Sequence, residues 1–395
     1  MDDRNDEGMR TVPPGLQRSL YRPGRGQSYL DIDFDRTPVT VAWELTRACA
    51  LACKHCRAMA MPRRDPRELT TAEGYRLIDQ VVEIGRPILV VTGGDPLMRR
   101  DVFDLIAYAA SRELRVALSP SATALVTRRT LAQAKEAGVA MLHVSLDGST
   151  PEIHDEFRGV RGSYQRTIEI LGDAVDLDLP LQVGTTVNRR NLTDLPRLAE
   201  EVQRLGATVW SVFFLVPTGR GQAADMVSPA EHEEVFHLLA ELSLRVPLHV
   251  RTTAAPAYRR VLAQHMSRVA PDAQEVTGAG FSVNNAAPSR GQGVNDGRGF
   301  CFVSHTGDVC PSGFLPIIAG NVRQQSLTEL YRDSPLFRSL RDPIQLKGKC
   351  GRCEYRTLCG GSRARAYAVT GDYLAPDPSC VYEPAAAPSA QPVGA

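Results

Sequence analysis

Trp43-Glu44-Leu45-Thr46-Arg47-Ala48-Cys49-Ala50-Leu51-Ala52-Cys53-Lys54-His55-Cys56 sets three thiols in a Cys-x3-Cys-x2-Cys spacing on one short stretch. An apolar run from Val39 to Leu45, opened by Pro38, leads into it and reads as a short buried strand. Thiolates are the ligands that iron–sulfur clusters prefer. Three of them on one tight loop can hold three irons of a cubane and leave the fourth iron for a ligand that is not protein. Such a centre is reactive rather than a plain electron store. A zinc knuckle is the alternative, but zinc takes four closed ligands at C-x2–4-C spacings, and only three thiols sit together here.

The chain has 395 residues and a net charge of +1, enough length for one large domain and a smaller one. No basic stripe or interleaved aromatic run points to nucleic acid. The apolar runs are strand-length, so none would span a bilayer. The N-terminus is acidic and polar, unlike a signal peptide. A cytoplasmic setting is expected. Nine cysteines, grouped as 49/53/56, 301/310, 350/353/359 and 380, favour metal over disulfides in such a setting.

Residues 1–36, rich in Arg, Asp, Gly and Pro, read as a flexible N-terminal arm. Residues 37–225 alternate apolar strands with helical patterns. Thr70 to Glu73 makes a capping box ahead of a helix whose face is Leu77, Ile78, Val81 and Val82, and Ile88–Val91 follows as a strand. Further pairs are helix Val102–Ala110 with strand Arg115–Ser119, helix Thr130–Ala137 with strand Ala140–Leu146, helix Tyr164–Val175 with strand Leu181–Val187, and helix Leu195–Leu205 with strand Val209–Leu215. Strands apolar on both faces and separated by helices predict a parallel sheet in an α/β fold. Residues 226–298 read as linking helices and a loop. A helix is capped by Ser228 and Glu231, a short strand covers Leu248–Thr252, and a long Gly/Asn-rich loop runs from about 271 to 299. Residues 299–384 read as a small C-terminal extension that opens with a hairpin around Thr306-Gly307-Asp308. The Ala/Pro-rich tail 385–395 is expected to be disordered.

The Cys49/Cys53/Cys56 spacing, with Thr92-Gly93-Gly94-Asp95-Pro96 after the second strand, resembles the radical S-adenosylmethionine (radical SAM) superfamily. That resemblance implies a partial (β/α)6 TIM-like barrel with its chemistry at the C-terminal strand ends. It also implies a SAM-binding 4Fe-4S cluster, S-adenosylmethionine on the open iron, and reductive cleavage to a 5′-deoxyadenosyl radical. By the same resemblance the backbone of Gly93, Gly94, Asp95 and Pro96 meets the SAM amino group, with Asp95 where the family usually has Glu. Ser119, Ser145 and Arg158 are carried over as cofactor-binding positions, with Val216 near the adenine. His55 falls where an aromatic residue often covers that base.

Gly348–Ser362 and Cys380 are similar to the SPASM/twitch extension, which carries auxiliary clusters. Cys350, Cys353, Cys359 and Cys380 are assigned to one four-thiolate auxiliary 4Fe-4S cluster, with zinc as the alternative occupant. Relatives with a second auxiliary site have cysteines near the positions of Ser312 and Ser362, so two clusters in all are expected here. Leu215–Gly221, Phe302–Gly307, Arg363–Tyr367 and Gly371–Leu374 look most like the haem-biosynthesis branch, whose enzymes oxidatively decarboxylate the propionates of iron-coproporphyrin. Arg220 or Arg251 is then a candidate partner for substrate carboxylates. The other readings are a SPASM maturase acting on a ribosomal peptide, or a non-catalytic iron–sulfur carrier. A flavodoxin or ferredoxin is the expected reductant.

Overall fold

The computed structural model describes residues 32–385 apart from 247, 270–274, 279–280 and 285–286. Residues 1–31 of the expected arm 1–36 and residues 386–395 of the tail lie outside the described residues. The arm's last residues are packed and not flexible, with Phe34 buried and its carbonyl accepting from Tyr331 Oη at 2.7 Å.

The first strand, β1 (Thr40–Glu44), is buried along its whole length. The chain then alternates: α1 (Thr71–Glu83), β2 (Ile88–Thr92), α2 (Val102–Ser111), β3 (Val116–Leu118), α3 (Arg128–Glu136) and β4 (Val139–Ser145). It continues through α4 (Pro151–Arg158), α5 (Ser163–Asp176), β5 (Leu181–Val187), α6 (Leu195–Arg204), β6 (Val209–Phe214), α7 (Pro229–Arg245), β7 (His249–Thr253) and α8 (Ala257–Val269). Both expected capping boxes form: Thr70 and Glu73 satisfy each other's backbone at α1, and Ser228 and Glu231 do so at α7.

The strands β1 to β7 pair in order and in parallel, as a run of βα units dictates. Alternate residues split into two environments. Trp43, Val91, Leu118, Leu142, Val183 and Trp210 face the helices and form the main core with them. Ala42, Val90, Ala117, Met141 and Val209 face the barrel interior and form its small apolar floor.

Two differences from the expected six-strand barrel stand out. β7, the short strand expected over Leu248–Thr252, joins the sheet as a seventh parallel strand beside β6. On the other side β11 (Phe300–Val303) pairs in parallel with β1, Thr40 opposite Phe300. β11 covers the donors and acceptors that β1 would otherwise present as an open edge. The C-terminal extension thus begins inside the barrel sheet. Its expected hairpin is present, with β12 (Asp308–Cys310) antiparallel to β11 and β13 (Gly320–Asn321) completing a ten-stranded sheet. The expected loop 271–299 instead contains β8 (Glu275–Gly278), β9 (Phe281–Asn284) and β10 (Ala287–Gly293), a separate antiparallel sheet. Pairing between neighbours overrides the poor strand propensity of its glycines and asparagines.

The extension ends in α9 (Leu327–Asp333), α10 (Pro335–Arg341), α11 (Gly348–Arg352) and α12 (Arg363–Thr370). One buried charge ties it to the barrel. Glu44, at the end of β1 and fully buried, accepts hydrogen bonds from Arg47 Nε at 3.0 Å, Arg57 Nη2 at 3.1 Å and His305 Nδ1 at 3.0 Å. Burial pushes its carboxyl up, but His305, Arg57 and Arg47 together bring it down to about 2. A folded-state value below the unfolded 4.5 means that its stabilisation is present above pH 4.5 and is lost as pH falls towards about 2. The stability gap between wild type and Glu44→Gln, measured by urea unfolding at a series of pH values, therefore closes by roughly 3 kcal/mol across that window. A gap that does not vary with pH would contradict this account.

Candidate active site

Residues 45–61 leave the C-terminal end of β1 as an irregular loop, and backbone hydrogen bonds fix its path. Cys49 N donates to Met61 O at 2.8 Å and Met61 N to Arg47 O at 2.9 Å. From the neighbouring strand end, Gly94 N donates to Thr46 O and Asp95 N to Ala48 O, each at 2.7 Å. From the loop after β6, Arg220 N reaches Cys56 O at 3.0 Å, and its guanidinium reaches Cys53 O at 2.9 Å and Ala60 O at 3.3 Å.

Cys49, Cys53 and Cys56 are all free thiols on this loop. Donors already aim at their sulfurs: Leu51 N lies 3.3 Å from Cys49 Sγ, Ala60 N 3.5 Å from Cys56 Sγ, and Arg158 Nη1 4.0 Å from Cys53 Sγ. Burial pushes the Cys49 thiol up, and the Ser121 hydroxyl and Leu51 N act against that. Three thiols on one loop match three irons of a cubane. The donor set fits a cluster with one iron left open.

Gly93 and Gly94 serve a purpose the sequence reading did not foresee. A Cβ on Gly93 would lie 2.4 Å from Thr46 O, and one on Gly94 would lie 2.5 Å from Ala48 O and 2.6 Å from Arg47 O. The glycines are needed first because the cysteine loop runs across them, and only through that contact do they shape a cofactor site. Asp95 is buried, and its carboxylate accepts from Leu97 N at 3.2 Å and Thr123 Oγ1 at 2.7 Å, capping the short turn Pro96–Met98. Its side chain points into structure. This explains why Asp can stand where Glu is usual. Ser121 Oγ donates to Gly94 O at 2.6 Å and lies 3.5 Å from Cys49 Sγ.

On the opposite wall Arg158, the last residue of α4, donates from Nε to Asp147 Oδ2 at 2.7 Å. Asp147 is fully buried, with Oδ1 accepting from Thr186 N at 2.7 Å. Burial raises its carboxyl, but Arg158, His55, His154 and the Thr186 amide together hold it below its ordinary value. The His55 ring stacks on Phe157 at 3.9 Å between centroids, so it is an ordered wall and not a solvated side chain. Burial and the nearby Arg158 push it down to about 4, and it stays neutral. Ser145 faces Gly184 across the β4–β5 ladder. Val216 packs with Leu315, Leu340 and Ala364 of the extension, which bolts the loop after β6 to that domain.

Ser119 does not stand alone. Its Oγ lies 2.9 Å from Nδ1 of His143 on β4, which faces the barrel interior. A Cβ on Gly184 would meet His143 Nε2 at 2.2 Å, so glycine makes room for the imidazole. That nitrogen is buried without a protein partner. Sequence reasoning missed His143, although a histidine on the inward phase of an apolar strand was the available signal. It missed Arg57 as well, which lies over the Phe302 ring at 4.8 Å.

In the extension Cys350, Cys353, Cys359 and Cys380 line one cavity, together with Arg260 and Tyr382. Burial pushes Cys353 up to about 11 and Cys359 up to about 12, so metal binding has to displace those protons. Arg259 and Arg298 stand behind the cavity. Burial, then Arg298, pushes Arg259 down to about 9, and burial pushes Arg298 down to about 10. Both are buried cations short of a counter-charge, which is what a cluster on four thiolates provides. Cys301 and Cys310 do not form a second site. Cys310 lies opposite Phe302 and shares its face, whereas Cys301 is the residue beside Phe302 and faces the helical core.

Residues 43–206 match the radical SAM superfamily, and residues 295–354 match the SPASM iron–sulfur cluster-binding domain. The AdoMet-dependent heme synthase of Methanosarcina barkeri is 43% identical over 357 residues, 89% of this chain and 99% of that protein. The chain belongs to the radical SAM superfamily. The AdoMet-dependent heme synthase of Oleidesulfovibrio alaskensis is 41% identical over 89% of each chain. The crystal structure of Streptococcus suis SuiB bound to S-adenosylmethionine shares the fold, with a TM-score of 0.64 at 15% identity over 88% of this chain and 78% of that one.

This radical SAM protein is an enzyme that cleaves S-adenosylmethionine reductively to a 5′-deoxyadenosyl radical and takes hydrogen from its substrate. It carries a 4Fe-4S centre for that chemistry, with SPASM iron–sulfur binding besides. The SPASM match ends at 354, short of Cys359 and Cys380, and the fold brings those two thiols to the same cavity. Among the described residues no helix is long and apolar enough to cross a membrane.

Gly94→Ala is expected to cost about 1–3 kcal/mol, because backbone must move to admit the methyl group. It should also lower the iron bound after anaerobic reconstitution by about four per chain from about eight. Urea unfolding and iron assay check both, and full iron in the variant would refute the contact's role. Arg158→Ala strands the Asp147 carboxylate and should cost about 3–5 kcal/mol in the same unfolding assay.

Proposed function

We propose that this enzyme makes haem by oxidative decarboxylation of the propionate side chains of an iron-coproporphyrin. The observation that carries the reading is identity of 43% along 99% of a relative named for haem synthesis. Bound at Cys49, Cys53 and Cys56, a 4Fe-4S cluster with S-adenosylmethionine on its open iron supplies a 5′-deoxyadenosyl radical, the agent that removes hydrogen from the propionate.

The protein's own residues position and shield. The backbone of Gly93 to Pro96 borders the cluster loop and receives the amino group of S-adenosylmethionine. Arg158 keeps one nitrogen on Asp147 and turns the other edge of its guanidinium towards Cys53, near which Ser145 and Arg158 meet the ribose. The backbone at Val216 borders the adenine. Ser119 acts through His143, whose Nε2 is buried over Gly184 without a protein partner. Arg220 donates to Cys53 O and Ala60 O and keeps a buried Nη2 without a partner, so it remains a candidate for a substrate carboxylate, as does Arg251, beside Ser211 on the interior face. Cys350, Cys353, Cys359 and Cys380 hold the auxiliary 4Fe-4S cluster. Reducing equivalents come from a flavodoxin or ferredoxin in the cytoplasm.

Anaerobic assay with iron-coproporphyrin, S-adenosylmethionine and dithionite tests the reading. Each propionate converted should release CO2 and lower the tetrapyrrole's mass by CO2 plus two hydrogens, with 5′-deoxyadenosine formed alongside. Cys49→Ala/Cys53→Ala/Cys56→Ala should abolish both products. S-adenosylmethionine cleavage with an unchanged tetrapyrrole would overturn the substrate.

A further inference from the structure

Three arginines around the four-cysteine cavity are buried without an ion pair among the described residues. Arg259, on α8, donates to Val294 O, but its Nε and Nη1 are buried with no partner. Arg298 donates from Nε to Gly293 O at 2.9 Å, and its Nη2 is buried with no partner. That Nη2 lies 3.8 Å from where a Cβ on Gly360, next to Cys359, would sit. Arg363 donates to Gly361, Tyr373 and Ala375 carbonyls and turns Nη2 towards Cys350 Sγ at 3.7 Å.

Most of the neighbouring carboxylates are already taken. Glu233 pairs with Arg260 at 2.5 Å, Asp377 with Arg365 at 3.3 Å, and Glu383 lies 3.5 Å from Lys349. Glu354 accepts from the Tyr382 hydroxyl, whereas Asp296, among the described residues, accepts only from Ala364 N at 2.9 Å and its charge offsets part of the burial of Arg259. A buried charge without a partner is strongly destabilising. A 4Fe-4S cluster on four thiolates carries net negative charge, and one unit more after it takes an electron. Cations and N–H donors at fixed positions favour that more negative state, and at low local dielectric they do so strongly.

We propose that Arg259, Arg298 and Arg363 form a cationic collar that raises the reduction potential of the cluster held by Cys350, Cys353, Cys359 and Cys380. The collar itself is independent of the substrate. Arg259, Arg298 and Arg363 are positioning residues, acting through charge on the cluster.

The test uses the full chain carrying Cys49→Ala/Cys53→Ala/Cys56→Ala, reconstituted anaerobically so that only the auxiliary cluster is loaded, with iron counted first. A redox titration followed by electron paramagnetic resonance, without substrate, compares it with Arg259→Gln, Arg298→Gln and Arg259→Lys. Each Gln variant should hold a reduced-to-oxidised ratio about tenfold lower at a given potential, a midpoint about 59 mV more negative for one electron. Arg259→Lys should stay near the parent. Iron-loaded Gln variants with an unmoved midpoint would overturn the collar. If a Gln variant loses its iron, restoration by Lys at the same position supports the proposal, and failure of Lys to restore it refutes it. An unconverted tetrapyrrole with the midpoint shift intact would remove the substrate reading and leave the collar standing.

Discussion

Everything at the mouth of this barrel depends on one backbone contact between the cysteine loop and the turn after β2. Thr46 O and Ala48 O take the amides of Gly94 and Asp95, and no side chain fits between the two segments. Because peptide is bonded to peptide, the loop's path does not depend on flexible side chains, and the three thiols inherit its position. Arg220 adds a second clamp from β6, so the loop is held from both sides of the barrel opening. The irregular segment with the highest chemical demand is thereby anchored to two of the most regular elements.

Buried charge is the second constraint, and it links the barrel to the extension. Glu44 closes β1 and gathers Arg47, Arg57 and His305, and that last residue arrives from the turn after β11. Arg57 continues the link through Gly313 O and the ring of Phe302. Asp147 and Arg158 do the equivalent work on the far wall. Such pairs contribute little net stability against an apolar alternative, but they are costly to break. They therefore specify one arrangement of two domains that share a sheet.

What the sequence made legible is what is local. Strand Leu181–Val187 and the capping boxes of Thr70 and Ser228 are encoded within a few residues, and they form as read. The thiol spacings are local too, which is why both cysteine groups could be recognised. The pairing of Thr40 with Phe300 is not local, because nothing near either strand names a partner so distant in the chain. Helix Pro151–Arg158 has no counterpart among the elements expected from the sequence, since its eight residues are too few to show a period beside Asp147-Gly148. The collar arginines left no trace at all. Arg259 sits on an ordinary helix, and its burial depends on residues 293–298 folding over it.

Two buried serines of the extension hold its turns by polar packing. Ser312 Oγ accepts from Phe314 N and Leu315 N, each at 3.2 Å, closing the turn. Ser362 is fully buried and caps α12 by accepting from Arg365 N at 3.2 Å, while its own amide donates to Asp377 at 2.7 Å. Cys301 and Cys310 stay behind on opposite faces of β11 and β12, where each packs as a small apolar residue. A serine offers a neutral oxygen and not a soft anionic sulfur, so Ser312 and Ser362 satisfy the backbone groups around them without supplying a thiolate. In the extension the thiols that share a cavity are those of Cys350, Cys353, Cys359 and Cys380.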